Sequence, residues 1–357
     1  MSKPEFLEKL YMIDSHQDIA WNVGLGRDFL EPAASWRSRV NDGAKYGERL
    51  VTLPDLIASQ VRLVIGTIFA LPARSANMFE SQSPAYSNDQ EARQIGLDQL
   101  EYYNRLAAED ERVVMIRTLA DLETHLANVE LGIKQLGLIA SMEGADPIVH
   151  PTELADWVSK GLRLIGPAWR STRYCGGTAE PGPLTPLGYE LLAEMERQGV
   201  ILDLSHMAEE SFYNSLEAYH GPIIASHSNC RHYVNTDRQL SDDMIRCMVE
   251  RDAVIGVVLY NRFLVWPDEG RKPDLDDVIR HMSRICDLAG HTRAVAIGTD
   301  WDGGFGSESI PAPLTSLDDL PLLAEALLKN GFSEEDVKGI FHGNWTRALR
   351  RGLASFK

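Results

Sequence analysis

The chain has 357 residues, 44% of them hydrophobic and 24% charged, so it can bury a large core. The 52 acidic against 35 basic residues leave a formal charge of −17, which argues against a nucleic-acid or anionic-membrane binder, because those present clustered Lys and Arg. No run approaches 18 consecutive apolar residues, so no membrane span is expected.

The first ten residues mix charges and lack the apolar core of a signal peptide. Cys175, Cys230, Cys247 and Cys286 are widely spaced and form no C-x-x-C pair, which favours reduced thiols in a cytoplasmic setting. The first apolar run is Tyr11–Asp14, leading into Ser15-His16-Gln17-Asp18. The stretch after it, with Trp21, Trp36 and several Gly and Pro, is too irregular to assign. A short helix is expected from Leu53, then a second run at Val61–Phe69 and a loop over Ala73–Pro84. Asn88 is expected to cap a long helix to about Asp110, with Ile95, Leu97, Leu100, Tyr103 and Leu106 on its apolar side. Helix Leu119–Asn128 precedes the third run, Leu136–Ser141, and helix Pro151–Lys160 the fourth, Leu162–Gly166. A Gly- and Pro-rich loop, Gly176–Pro186, opens helix Leu187–Gln198. The fifth run is Val200–Ser205, followed by helix Ala208–Tyr219 and the sixth run, Pro222–Ser226. Helix Ser241–Arg251, capped by Ser241, leads to the seventh, Ala253–Tyr260, and helix Asp274–Ala289 to the eighth, Ala294–Thr299. Helices Ser316–Asn330 and Ser333–Phe341 and the segment Gly343–Arg350 close the chain.

Runs that are apolar on both faces indicate parallel strands buried on both sides. Eight of them alternating with helices indicate an α/β protein of the (β/α)8 TIM-barrel type, with residues 1–357 as one domain. A doubly wound open sheet would carry a Gly-rich phosphate turn after its first strand, where this chain has Ser15-His16-Gln17.

Barrel enzymes hold their chemistry at the C-terminal ends of the strands. Here those ends read His16-Gln-Asp18, Ser141-Met-Glu143-Gly, Ser205-His206, Ser226-His227 and Thr299-Asp300-Trp-Asp302-Gly303. A single His after a strand is usually structural, and a single Asp is often a helix cap. Five such positions converging on one mouth indicate a metal site. One ion cannot use them all and keep an open position. Two divalent ions can, with His16 and Asp18 on one, His206 and His227 on the other, and Glu143 bridging. The ions would share a water of lowered pKa that attacks a carbonyl. Asp300 would take its proton and hand it to the leaving amine.

The segments Asp14-Ser-His-Gln-Asp18, Met142-Glu-Gly-Ala145, Asp203-Leu-Ser-His206, Ala225-Ser-His-Ser228 and Ile297-Gly-Thr-Asp-Trp-Asp-Gly303 together resemble the membrane (renal) dipeptidase family of zinc peptidases, as does the late His342-Gly-Asn-Trp345 turn. The resemblance runs over nearly the whole chain. It implies a (β/α)8 barrel with two Zn2+ ions, or other divalent metals, on the ligands named above. It implies hydrolysis of dipeptides, including some with a D-residue at the C-terminal position, and a frequent homodimer. It also matches Arg238 to an Arg used against the substrate carboxylate, a role that suits a guanidinium fork. Tyr260 matches a Tyr near the substrate pocket, the other reading being a Tyr packed at the barrel rim. One departure stands out: animal members carry a His at the end of the fourth strand, where this chain has Trp169, which cannot titrate. Arg170 and Arg173 beside it could supply positive charge instead or pair with acids. Animal members are lipid-anchored, and residues 350–357 lack the apolar tail of such an anchor, so a cytoplasmic enzyme is expected. Another metal-dependent amide, lactone or ester hydrolase, or a silent metal-binding barrel, would share the scaffold. The former typically carries His-x-His on the first strand and a carboxylated Lys, unlike His16-Gln-Asp18 and Glu143.

Overall fold

The computed structural model describes residues 5–78 and 84–356. Eight barrel strands follow in chain order: β1 (Met12–Gln17), β2 (Val61–Phe69), β3 (Leu136–Glu143), β4 (Leu162–Gly166), β5 (Ile201–Asp203), β6 (Ile223–Ile224), β7 (Ile255–Val257) and β8 (Val295–Ile297). β1 to β6 pair in parallel in that order. Ala225 bridges to Ile255 to join β6 to β7, and β7 pairs with β8. The result is the expected (β/α)8 barrel. Every residue of β1 to β4 is buried, as parallel strands covered by helices require.

Side chains close the ring between β8 and β1. The Asp14 carboxylate accepts from the Thr299 amide (2.9 Å), the Thr299 hydroxyl (2.6 Å) and Gln17 Nε2 (2.5 Å). Ser15 Oγ donates to the carbonyls of Ile297 (3.1 Å) and Ser226 (2.5 Å) inside the barrel. The backbone at Gly298 approaches so closely that a Cβ there would lie 1.9 Å from the Ser226 carbonyl oxygen. Pairing of β1 with β2 slips between Asp14 and Gln17. Such an irregularity re-aims side chains, and here consecutive residues Ser15 and His16 both reach inward. Asp14→Ala is expected to cost about 3 kcal/mol, because it strips several buried donors of their shared acceptor. A urea midpoint measured with chelator present, so that metal plays no part, checks this.

Helix assignments from periodicity hold well where a cap marks the start. Asn88 accepts from the Glu91 amide (3.0 Å) and the helix runs Asp89–Glu109, while Ser241 caps Asp242–Glu250. The stretch left unassigned after β1 contains short helices Ile19–Gly24, Ala33–Arg39 and Gly43–Tyr46. The expected loop over Ala73–Pro84 includes a 3-10 turn, Ala73–Met78, and its residues 79–83 lie outside those described. The Gly-rich segment after β4 is a hairpin of Cys175–Gly177 with Glu180–Leu184. Val113–Met115, a strand too short for periodicity to reveal, pairs with the start of β3.

The end of the chain has the largest role that local pattern did not suggest. Helix Asn344–Leu353 packs Trp345, Ala348, Leu349 and Leu353 against Ile13, Leu63, Ile139, Leu164 and Ile201 of the barrel. Trp345 Nε1 donates to the Ile297 carbonyl (2.9 Å). This apolar plug fills the N-terminal end of the barrel and leaves the polar strand ends at the opposite mouth.

Candidate metal centre

The sequence-predicted ligands meet at that mouth. His16 leaves the slipped end of β1 and Asp18 follows it. Glu143 is the last residue of β3, and His206 and His227 follow β5 and β6. His206 Nε2 lies 3.1 Å and His227 Nε2 3.2 Å from the same Glu143 oxygen, Oε1, and the two nitrogens are 3.0 Å apart. His16 Nε2 is 3.8 Å from Asp18 Oδ2, 4.0 Å from Glu143 Oε1 and 3.9 Å from Asp300 Oδ1. The rings of His16 and His227 stack at 3.7 Å. Three overlapping donor groups result: His16, Asp18 and Glu143; Glu143, His206 and His227; and His16, His227 and Asp300.

Hydrogen-bond logic shows why this cluster fits a cation. The Ser226 hydroxyl donates to Asp203, so toward His227 Nδ1, 2.7 Å away, it can only accept. His227 Nδ1 therefore carries the proton, and its Nε2 lone pair faces the Glu143 carboxylate and His206. Two acceptors at 3.2 Å need a proton or a cation between them. His16 Nε2, Asp18 Oδ1 and Glu143 Oε1 are also buried with no hydrogen-bond partner among the described residues. Imidazole nitrogen and carboxylate oxygen are the donor set that zinc and similar divalent ions take.

The electrostatics carry the same signature. Burial and the neighbouring Asp18 and Asp300 push the Glu143 carboxyl up to about 8, against the pull of His16. Burial works against an imidazolium at His16, yet Glu143, Asp18 and Asp300 outweigh it and raise that ring to about 10. Burial, with Arg238 and His16 nearby, holds His206 and His227 well below the ordinary histidine value. Protons thus do in this cluster what bound cations would do better.

Asp300 follows β8 in left-handed backbone, φ +59°, and burial pushes its carboxyl up to about 7, with His16 opposing. Gly303 makes room for it: a Cβ there would lie 2.2 Å from Asp300 Oδ1 and 3.1 Å from Asp18 Oδ2. Asp302 does something else. Its carboxylate accepts from the amides of Leu50 (3.0 Å) and Val51 (2.8 Å), tying the N-terminal segment to the mouth.

Arg238 is buried beside the histidines, with Nη2 donating to the His227 carbonyl (2.7 Å) and its plane over Phe263. The acids that could have claimed it are engaged elsewhere, Asp237 with the Ala179 amide and Asp242 with Arg284. Tyr260 stacks on Phe305 at 4.1 Å and meets Phe263 edge-on. Trp169 is half-buried and packs edge-on against Phe69 at 5.0 Å. Arg170 pairs with Glu180 (3.4 Å), and Arg173 with Asp146 (3.4 Å) and Asp89 (3.5 Å).

Asp14 and Asp203 were not assigned a role from sequence. Asp203 accepts from the amides of Ser205 (3.0 Å) and Ser226 (2.9 Å), stitching β5 to β6 as Asp14 stitches β1 to β8. Their signal was present: Asp14-Ser-His16 and Asp203-Leu-Ser-His206 repeat an acid just upstream of a strand-end His.

Among known proteins, the family model described as membrane dipeptidase (peptidase family M19) matches residues 2–354. An uncharacterized protein from the PQQ-III 3' region of Acinetobacter calcoaceticus is 29% identical over 260 residues, covering 67% of this chain and 81% of that protein. The crystal structure of dipeptidase AC, a metallopeptidase, superposes with TM-score 0.77 at 25% identity, over 97% of this chain and 99% of that one. A metallopeptidase from Rhodobacter sphaeroides, bound to a phosphinate mimic of the dipeptide L-Ala-D-Ala, superposes with TM-score 0.79 at 24% identity, over 96% of this chain and 99% of that one.

Proposed function

Because the chain belongs to the membrane dipeptidase family, peptidase family M19, and is thereby a metal-dependent hydrolase of dipeptides, we propose that it works with two zinc ions and accepts dipeptides with a D-residue at the C-terminal position. His16 and Asp18 would hold one ion, His206 and His227 the other, and Glu143 both. When bound, the ions supply electrophilic activation of the amide carbonyl and lower the pKa of the attacking water. The observation that carries this reading is the single Glu143 oxygen facing imidazole nitrogens from β1, β5 and β6 at 4.0, 3.1 and 3.2 Å. Asp300, aimed into the cluster, moves the proton from water to the leaving amine. Arg238, already inside the site, receives the substrate's free carboxylate. Trp169 with Phe69, and Tyr260 with Phe305, supply apolar wall, and at the end of β4 the indole of Trp169 cannot titrate. The phosphinate dipeptide mimic bound by the Rhodobacter sphaeroides protein supports the substrate class and a D-configured second residue.

Dialysis against chelator is expected to abolish hydrolysis of a mixed L,L and L,D dipeptide panel, and zinc to restore it as the second equivalent per chain binds. Full activity in metal-depleted protein, or saturation at one equivalent, refutes the two-ion reading. No helix among the described residues is long and apolar enough to cross a membrane. Arg238→Ala is expected to lower kcat/KM for free-carboxylate dipeptides by about 10- to 100-fold, the worth of a charge-assisted hydrogen-bond pair. C-terminally amidated analogues should change little. Equal losses on both substrate sets would remove Arg238 from this role.

A further inference from the structure

His206 sits in an awkward place. β5 ends at Asp203, and His206 lies in left-handed backbone, φ +64°, a conformation that costs a non-glycine residue about 1–2 kcal/mol. Something must hold both its backbone and its ring. Thr178 touches both: its Oγ1 lies 3.0 Å from His206 Nδ1 and 3.5 Å from the His206 carbonyl oxygen. With Nε2 ligating, the neutral ring keeps its proton on Nδ1, where the Thr178 hydroxyl oxygen and the Trp169 backbone, a further hydrogen-bond partner of the ring, can accept it. That leaves the Nε2 lone pair aimed at Glu143.

Thr178 is itself braced from three directions. It lies in the turn of the hairpin after β4, with Ala179 at φ +59°. The Thr178 amide donates to the Trp169 carbonyl (3.1 Å), and Gly177 bridges to Met207, next to His206. The Ala179 amide donates to Asp237 Oδ2 (2.7 Å). Asp237 adjoins Arg238, which in turn bonds the His227 carbonyl. A closed loop of contacts therefore runs from His206 through Thr178, Ala179, Asp237 and Arg238 to His227.

We propose that the Thr178–Ala179 turn is a positioning element that holds His206 in its ligating pose and couples it to the Arg238 loop, an inference that rests on His206 being a metal ligand. Partners that orient a ligating imidazole through its other nitrogen commonly change metal affinity about 10- to 100-fold when lost. Thr178 is not a catalytic residue: it would act only through His206.

The test uses the full-length protein loaded with cobalt(II). Thr178→Val keeps the shape and removes the hydroxyl, and Thr178→Ser restores it. Affinity is read by competition with a chromophoric chelator, and the site by its visible absorption. Thr178→Val is expected to weaken one of the cobalt equivalents about 10-fold or more and shift its absorption band, with kcat falling more than KM rises. Thr178→Ser should match the native chain within about two-fold. Asp237→Ala, which frees the turn from its far end, should shift the same band less, and it serves also if Thr178→Val melts early in chelator. Native affinity and spectrum in both Thr178→Val and Asp237→Ala overturn the proposal. His206→Ala separates the two ideas: if it leaves the cobalt spectrum of the native chain unchanged, the ligand assignment fails rather than the turn.

Discussion

Asp300→Asn protein should hydrolyse dipeptides about 10²- to 10⁴-fold more slowly than the native chain, the range that a positioned general acid–base contributes, while binding the same amount of metal. Asparagine keeps the shape of the side chain, and Gly303 still leaves it room. What disappears is a carboxyl, raised by burial to about 7 in the metal-free chain, that can accept and return a proton where an amide cannot. The geometry also allows a rival role. Asp300 shares a potential donor group with His16 and His227, and its Oδ1 is 3.9 Å from His16 Nε2. A ligand and a proton shuttle answer differently to one pair of measurements. Metal analysis of the variant beside a single-turnover rate decides: full metal with slow turnover marks the shuttle, and lost metal marks a ligand.

Glu143→Gln is expected to be the most damaging single change at the site. The amide keeps the volume but loses the charge that faces three imidazoles at 3.1 to 4.0 Å. Metal content should fall from two equivalents to one or none, and hydrolysis should fall to the background of the assay. Stability should move the other way in metal-free protein. Glu143 is raised to about 8 when folded, above the ordinary carboxyl range of the unfolded chain. Below that ordinary range both states hold the proton and Glu143 costs nothing. As pH rises toward 8 the unfolded state alone has lost it, and folding stability falls. Chelated native protein should therefore lose stability over that window, and chelated Glu143→Gln should lose less of it. Thermal melts at several pH values, with and without zinc, would show the crossing. A variant that keeps two metals and its activity removes Glu143 from the centre.

The apparent contradiction between these two effects has one cause. A site that concentrates buried carboxylates and imidazoles is unfavourable by itself and favourable around a cation. Three residues at the mouth, His206, Asp300 and Asp302, also lie in left-handed backbone. Backbone strain of this kind persists where the surroundings over-determine it, as the contacts of Thr178, Gly303 and Asp302 do here.

Much of this was legible in the chain because it is written locally. Alternation of apolar runs and capped helices repeats over short windows, and it identified all eight barrel strands and the ends at which His16, Glu143, His206, His227 and Asp300 stand. Chemistry at strand ends needs no distant information once the architecture is a barrel. Tertiary structure alone decided the rest. The slip in β1 that turns Ser15 and His16 inward together, the closure of β8 on β1 through Asp14, the plug made by Asn344–Leu353 and the brace from Thr178 to His206 all join residues far apart in the chain. A side chain such as Thr178 has no periodicity of its own. Its partner is selected by where two loops meet in space, and only the folded barrel brings those loops together.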